Sequence, residues 1–178
     1  VVVVVAVGIT VLEWKKKYEN DGKVEDDSGV WGGDFIDAEK DSLEWKYFRE
    51  FHEEIGSTLL PYRTEWMVWD RDLRLAGSID MIFENKDGTL QLYDWKRAKE
   101  IKKENRWDSA LVDCISHMPD SNFWHYSFQL NTYKMILEAK YGKTVSGLFL
   151  VILHPNQDSW RWIKVPILKS EMKDLLLS

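Results

Sequence analysis

The chain has 178 residues, 44% apolar and 30% charged, with 13% aromatics, 10 Gly and 4 Pro; that is one globular domain's worth and excludes wholesale disorder. Its single cysteine excludes an internal disulfide, a four-cysteine zinc site and a cysteine-ligated iron–sulfur cluster, and suits a reducing intracellular compartment, cytoplasm or nucleus. The formal net charge of −6 argues at first sight against a nucleic-acid partner.

The apolar start, Val1 to Gly8, has no basic flank and is too short to span a bilayer, so neither a targeting signal nor a membrane partner is expected. It begins without Met, which suits a piece of a larger polypeptide. A short helix at 12–19 and a Gly/Asp-rich loop come next. Asp41 and Glu44 read as a capping box for a helix over 42–55, with Leu43, Trp45, Tyr47, Phe48, Phe51 and Ile55 at helical spacing. After Pro61 the period falls to two, and three strands follow: Tyr62 to Trp69, Leu73 to Glu84 and Thr89 to Lys96. Tight turns between them make an antiparallel meander. A helix capped by Ser121 or Asn122 runs to about Tyr141, with Gly142 as its stop. A strongly apolar strand, Val145 to Leu153, a strand from Trp160 to Val165 and a terminal helix from Lys169 to Leu177 complete the chain. The expected architecture is a single α/β domain over 1–178: an ill-defined region 1–40, a core 41–155, and a terminal strand and helix in 156–178.

Charge is spread unevenly. Residues 13–54 hold 14 acids against 7 bases, whereas 55–178 hold 16 against 17. The second part contains a basic run, Lys96, Arg97, Lys99, Lys102, Lys103 and Arg106. A solvated face is one reading of such a run. Phosphate contact is the other, because it leaves directly from the third strand.

The most informative stretch is Gly77 to Lys96. A three-residue turn Lys86-Asp87-Gly88 pairs Asn85 with Thr89, which puts Asp80 opposite Asp94 and Ile82 opposite Leu92. Opposed carboxylates repel, and an apolar face raises the cost, so something positive must lie between them. Lys96 on the same face, a divalent metal, or both together meet that need. Oxygen ligands without nearby cysteine suit Mg²⁺ or Mn²⁺ rather than zinc. Such an ion beside a lysine implies phosphodiester hydrolysis. Other residues have plainer readings. Glu65 can pair with Arg63, and Gln129 and Tyr133 can be ordinary helix residues. His52, His117, His125 and His154 read as structural or surface groups, and Trp66 and Trp95 as core. Trp107 and Trp124 lie where a ring can stack on an unpaired base.

Gly77-Ser78-Ile79-Asp80 followed by Asp94-Trp95-Lys96 resembles the bipartite signature of the PD-(D/E)xK nuclease superfamily. Gln129 to Tyr133 resembles the Q-x-x-x-Y motif of its RecB-like, lambda-exonuclease-like branch, and the overall likeness is to nuclease domains of large DNA viruses, over about residues 40–155. The resemblance implies a restriction-endonuclease-like core in the order α-β-β-β-α-β, a mixed central sheet with a three-stranded antiparallel meander flanked by helices. It implies that Asp80, Asp94 and Glu65 hold Mg²⁺ or Mn²⁺ and that Lys96 is the catalytic lysine. Gln129 and Tyr133 would orient the nucleic acid, beside Arg97, Lys99, Lys102 and Lys103. Three departures stand out: Ile79 replaces the motif's proline, the upstream histidine has no match beyond Glu13 near its place, and the iron–sulfur cysteines are missing. The implied activity is a metal-dependent nuclease acting on DNA ends, working alone or in a replication or recombination complex. An RNA endonuclease of the cap-snatching kind and an inactive nucleic-acid-binding module are the alternatives.

Overall fold

The computed structural model describes residues 3–4, 42–105 and 108–177. In chain order it holds β1 (Val3–Val4), α1 (Leu43–Glu54), a 3₁₀ turn (Gly56–Thr58), β2 (Leu60–Asp70), β3 (Leu75–Glu84) and β4 (Leu90–Lys96). A second 3₁₀ turn (Asp113–Ile115), α2 (Asn122–Lys140), β5 (Val145–Ile152), β6 (Arg161–Lys164) and α3 (Lys169–Leu177) follow. This is the expected α/β fold, an α-β-β-β-α-β core followed by the expected terminal strand and helix, and preceded by the two-residue β1, which the sequence does not suggest. The helix expected at 12–19 lies outside the described residues.

The sheet is mixed. Strands β2, β3 and β4 form the antiparallel meander, β4 pairs in parallel with β5, and β5 pairs antiparallel with β6. A parallel step needs a long crossover, and α2 supplies it. The β3–β4 turn matches its expected chemistry: Gly88 has φ +79°, a left-handed position that glycine takes without strain, and Asn85 N–H donates to Thr89 O at 2.8 Å. The register therefore pairs Ile82 with Leu92 and Met81 with Tyr93, as the loop length predicts.

One local expectation needs correction. The N-cap of α1 is Ser42, whose side chain accepts from Trp45 N at 3.2 Å; the cap is one residue later than the Asp41/Glu44 pattern implies. The Ser42 hydroxyl satisfies the orphan Trp45 N–H, one residue past the Glu44 N–H that an Asp41 cap would take.

Helices cover both faces. Even-numbered residues of β4 and β5 (Leu90, Leu92, Leu148, Leu150) pack on Leu130, Tyr133, Ile136 and Leu137 of α2. Odd-numbered ones (Tyr93, Phe149, Val151) join Met81 and Phe83 against Phe51 of α1. A smaller cluster, Ile115 and Met118 with Leu168 and Met172, seats α3. In β3, Ile79 and Ile82 both belong to the α2-side core although they are three positions apart, so the alternation breaks between them. The far edge of β3 is taken by β1 at Leu75 and Ala76 and by β4 only from Met81 onward, which leaves a fork at Gly77 to Asp80. Among the described residues no helix is long and apolar enough to cross a membrane.

Phe51 is 1% exposed and its ring meets Tyr93, Trp95 and Trp160 at centroid distances of 5.9, 5.2 and 5.3 Å. Phe51→Ala is expected to cost about 3–5 kcal/mol in urea denaturation, and a loss below ~1 kcal/mol would show that α1 does not anchor this face.

Candidate active site

The fork between β3 and β4 brings Asp80, Asp94 and Lys96 together. The ladder stops at Met81/Tyr93, and at the next position the Asp80 carboxylate itself accepts Trp95 N–H at 2.9 Å. A side chain thus takes the place of a ladder carbonyl, which holds the two strands apart where the carboxylates meet. Asp94 is 2% exposed and Lys96 5%, and Lys96 Nζ lies 2.5 Å from Asp94 Oδ2. Burial above all, and then the Asp94 charge, push the Asp80 carboxyl well above the usual carboxylate range, against the pull of Trp95 N–H and Lys96. Asp94 is also raised, by burial, with Lys96 opposing. The lysine offsets only part of the negative charge.

Lys96 is held from the helix side. Its ammonium donates to Gln129 Oε1 at 3.3 Å and lies 4.4 Å from the centroid of the Tyr126 ring. Gln129 Nε2 in turn donates to the Tyr133 hydroxyl at 3.1 Å. Gln129 and Tyr133 are four residues apart on one face of α2, as their spacing predicts, and both are buried. Their polar groups turn inward, to Lys96 and to each other. Burial pushes the Tyr133 hydroxyl up to about 12, and the charges of Asp94, Asp80 and Glu65 add to that, so one hydroxyl senses all three carboxylates. Two further residues complete this arrangement and were not singled out from sequence. A Cβ on Gly77 would sit 2.4 Å from Tyr133 Cε1, so only glycine leaves room for the ring. Tyr126, three residues before Gln129, shares its helical face, and that spacing was the available signal.

Glu65 occupies a strained place on β2. Its φ is +48°, uncommon for a non-glycine residue and worth on the order of 1–3 kcal/mol of strain. The flanking pairs Thr64/Met81 and Trp66/Ile79 put it across from Asp80, and Ser78 Oγ donates to its Oε2 at 3.3 Å. The plain reading of Glu65 as a partner for Arg63 fits less well, because the Arg63 guanidinium lies over the Trp66 ring at 4.9 Å.

The basic run leaves β4 as a strap across the start of α2. Arg97 Nε pairs with Glu44 Oε1 at 2.7 Å, and Lys103 Nζ lies 4.9 Å from the Phe123 centroid. Lys99 and Lys102 are exposed, Lys102 within 3.5 Å of Glu100. Arg106, Trp107 and Glu13 lie outside the described residues. Trp124 donates from Nε1 to Lys103 O and packs edge-on against Phe123, so its ring is engaged with the protein. His125 Nε2 is 2.6 Å from Asp120 Oδ1 on the exposed start of α2. His154 Nδ1 accepts from Asn156 N.

Among the described residues no three His, Cys, Asp or Glu side chains form a ready-made cation cage. The donors nonetheless fit a hard divalent ion. Such an ion is commonly held by one or two carboxylates, with water and substrate phosphate completing its shell, and the buried Asp94 and half-buried Asp80 are carboxylates whose charge Lys96 offsets only in part.

The raised Asp80 value has a consequence for stability. Its ionised form is disfavoured in the fold, so the penalty is absent at pH values where folded and unfolded chains are both protonated, grows as pH rises past the unfolded-state value, and is complete above the folded-state value. Asp80→Asn keeps an oxygen for Trp95 N–H and removes the charge. In metal-free buffer it should raise the Tm at neutral pH, by about 2–4 °C for each kcal/mol of repulsion relieved, and the gain should disappear near about pH 3. A gain of equal size at both pH values would contradict the electrostatic account.

No curated protein matches the chain. The model of the PD-(D/E)XK nuclease superfamily matches residues 10–175, a span that contains the whole fork, α2 and the strap. On the extent of that match, the chain belongs to the PD-(D/E)XK nuclease superfamily.

Proposed function

We propose that the chain is a divalent-metal-dependent nuclease that hydrolyses phosphodiester bonds of DNA and works from DNA ends, in the manner of the RecB-like branch. The observation that carries this reading is the Lys96 ammonium 2.5 Å from the buried Asp94 carboxylate, with Asp80 beside it at the mouth of the β3–β4 fork. Gln129 and Tyr133 behind Lys96 support the assignment to that branch.

Asp80, Asp94 and Glu65 would hold Mg²⁺ or Mn²⁺, which when bound supplies positive charge to a phosphate oxygen and makes water more acidic. Lys96 carries a fixed positive charge at the same place. Its ammonium orients the attacking water and stabilises charge that develops on the phosphate oxygens. Gln129 acts as a positioning residue: its Oε1 accepts from the ammonium while its amide N–H₂ is aligned by Tyr133. Trp95 N–H fixes one oxygen of Asp80 and leaves the other available to a ligand. Lys99 and Lys102, exposed on the strap, would contact the backbone of the substrate without reading its sequence.

The deciding experiment offers linear and closed circular, single- and double-stranded DNA, and RNA, with Mg²⁺, Mn²⁺ or EDTA. Cleavage of linear DNA that EDTA abolishes is expected, with closed circles spared. Lys96→Ala should lower kcat by about 10²–10³-fold, with circular dichroism separating lost chemistry from lost fold. Cutting in EDTA, or full activity in Lys96→Ala, would overturn the mechanism; cutting of closed circles would overturn the preference for ends, and RNA alone as substrate would overturn the choice of DNA.

Strap contacts are read from salt dependence. The double variant Lys99→Ala, Lys102→Ala should reduce the slope of log K against log salt by about 1–2 for duplex DNA, since each phosphate contact contributes roughly 0.9. An unchanged slope would remove these lysines from the interface.

A further inference from the structure

We propose that Tyr126 is a positioning residue for Lys96, acting through the face of its ring. The inference rests on the nuclease reading and adds to it a group outside the motif residues. Lys96 Nζ meets Asp94 Oδ2 at 2.5 Å, Gln129 Oε1 at 3.3 Å and the Tyr126 ring at 4.4 Å from its centroid. The first two are hydrogen-bond acceptors that pull the ammonium along their own directions. The ring adds an attraction of a different kind, from the negative face of a π-system, on a cation already 5% exposed, where little water competes.

Tyr126 is well placed for this. It stands three residues before Gln129 and seven before Tyr133, on the α2 face that looks at β4, and it is half-buried against the α2-side core. Gln129 is buried and Tyr126 only partly so, which leaves the ring at the margin of the α2-side core. A flexible four-carbon lysine stem has several rotamers of similar energy. These two acceptors set a distance from β4 and α2, and the ring face adds a further constraint on the ammonium. The ammonium is thereby held in one orientation before substrate arrives, and preorganised charge is the kind that lowers a barrier. The hydroxyl has no part in this contact; the ring face carries it.

The test separates ring from hydroxyl and position from packing. Tyr126→Leu fills much of the same space without a π-face, and Tyr126→Phe keeps the face without the hydroxyl. With linear DNA and Mg²⁺, Tyr126→Leu is expected to lose about tenfold in kcat at unchanged KM, and Tyr126→Phe to restore kcat to within about threefold of wild type. In the free protein, the Lys96 ε-methylene protons should show an upfield ring-current shift that Tyr126→Phe keeps and Tyr126→Leu loses. Unchanged kcat in Tyr126→Leu, a Phe variant as slow as the Leu variant, or a loss confined to KM would overturn the inference. If the wild type itself cleaves nothing, the nuclease reading falls first and this one with it, whereas an active wild type with an unaffected Leu variant leaves the nuclease standing and removes only Tyr126.

Discussion

Asp80 and Asp94 face each other across the end of an antiparallel ladder, where water is scarce, and much of the surrounding packing follows from that repulsion. Lys96 offsets part of the charge, but a buried ammonium needs holding as much as a buried carboxylate does. Gln129 Oε1 and the Tyr126 ring hold it. Gln129 has to be turned the right way, and the Tyr133 hydroxyl turns it. Tyr133 needs space for its ring, and Gly77 provides the space, three residues before Asp80 on the same strand. The chain of dependence therefore closes on itself: a glycine in β3 makes room for the tyrosine that aligns the glutamine that fixes the lysine that balances the aspartates. A methyl group at Gly77 would be felt at Asp94 without touching it.

The scaffold makes this arrangement affordable by covering the sheet on both faces. β4 lies between an antiparallel and a parallel neighbour, with α2 on one side and α1 on the other, so its even positions carry the charges and its odd positions an aromatic cluster. A carboxylate in such a strand has no escape to solvent by a small shift. That rigidity is useful to a site that must stay strained. Glu65 shows the same trade in its backbone: a positive φ that no turn requires is kept in mid-strand, across from Asp80.

How much of this could be read without coordinates depends on the range of the interaction. The β3–β4 register was legible because Lys86-Asp87-Gly88 is local turn chemistry, and register then follows by counting. Gln129 and Tyr133 on one face were legible from helical spacing. The cap of α1 was misjudged by one residue because Ser42 and Asp41 are both good caps, and only the backbone path chooses between them. The strain at Glu65 was not legible, since nothing in a strand sequence marks a left-handed residue that is not glycine. Nor was the inward turn of Gln129 and Tyr133, which depends on how closely α2 approaches β3 and β4. The break in alternation between Ile79 and Ile82 is likewise marked by no local preference in the sequence.

The net charge of −6 teaches a similar lesson about range. Screening confines the influence of an exposed charge to about 8 Å at physiological salt, so a total over 178 residues says little about any one surface. What matters is which charges are held where. The strap from Arg97 to Asn105 is pinned along its length: Gln157 Nε2 reaches the carbonyls of Ala98 and Lys99, Asn122 bonds both Glu100 O and Lys102 N, and Asn105 donates to Asp120 O. Those bonds use up backbone groups that a mobile loop would leave to water, and they fix the direction in which the strap leaves the fork. Arg97 reaches Glu44, Lys102 reaches Glu100 and Lys103 lies over Phe123, yet all three side chains, with Lys99, stay exposed. Side-chain amides thus fix the backbone of the basic run while its charges remain at the surface.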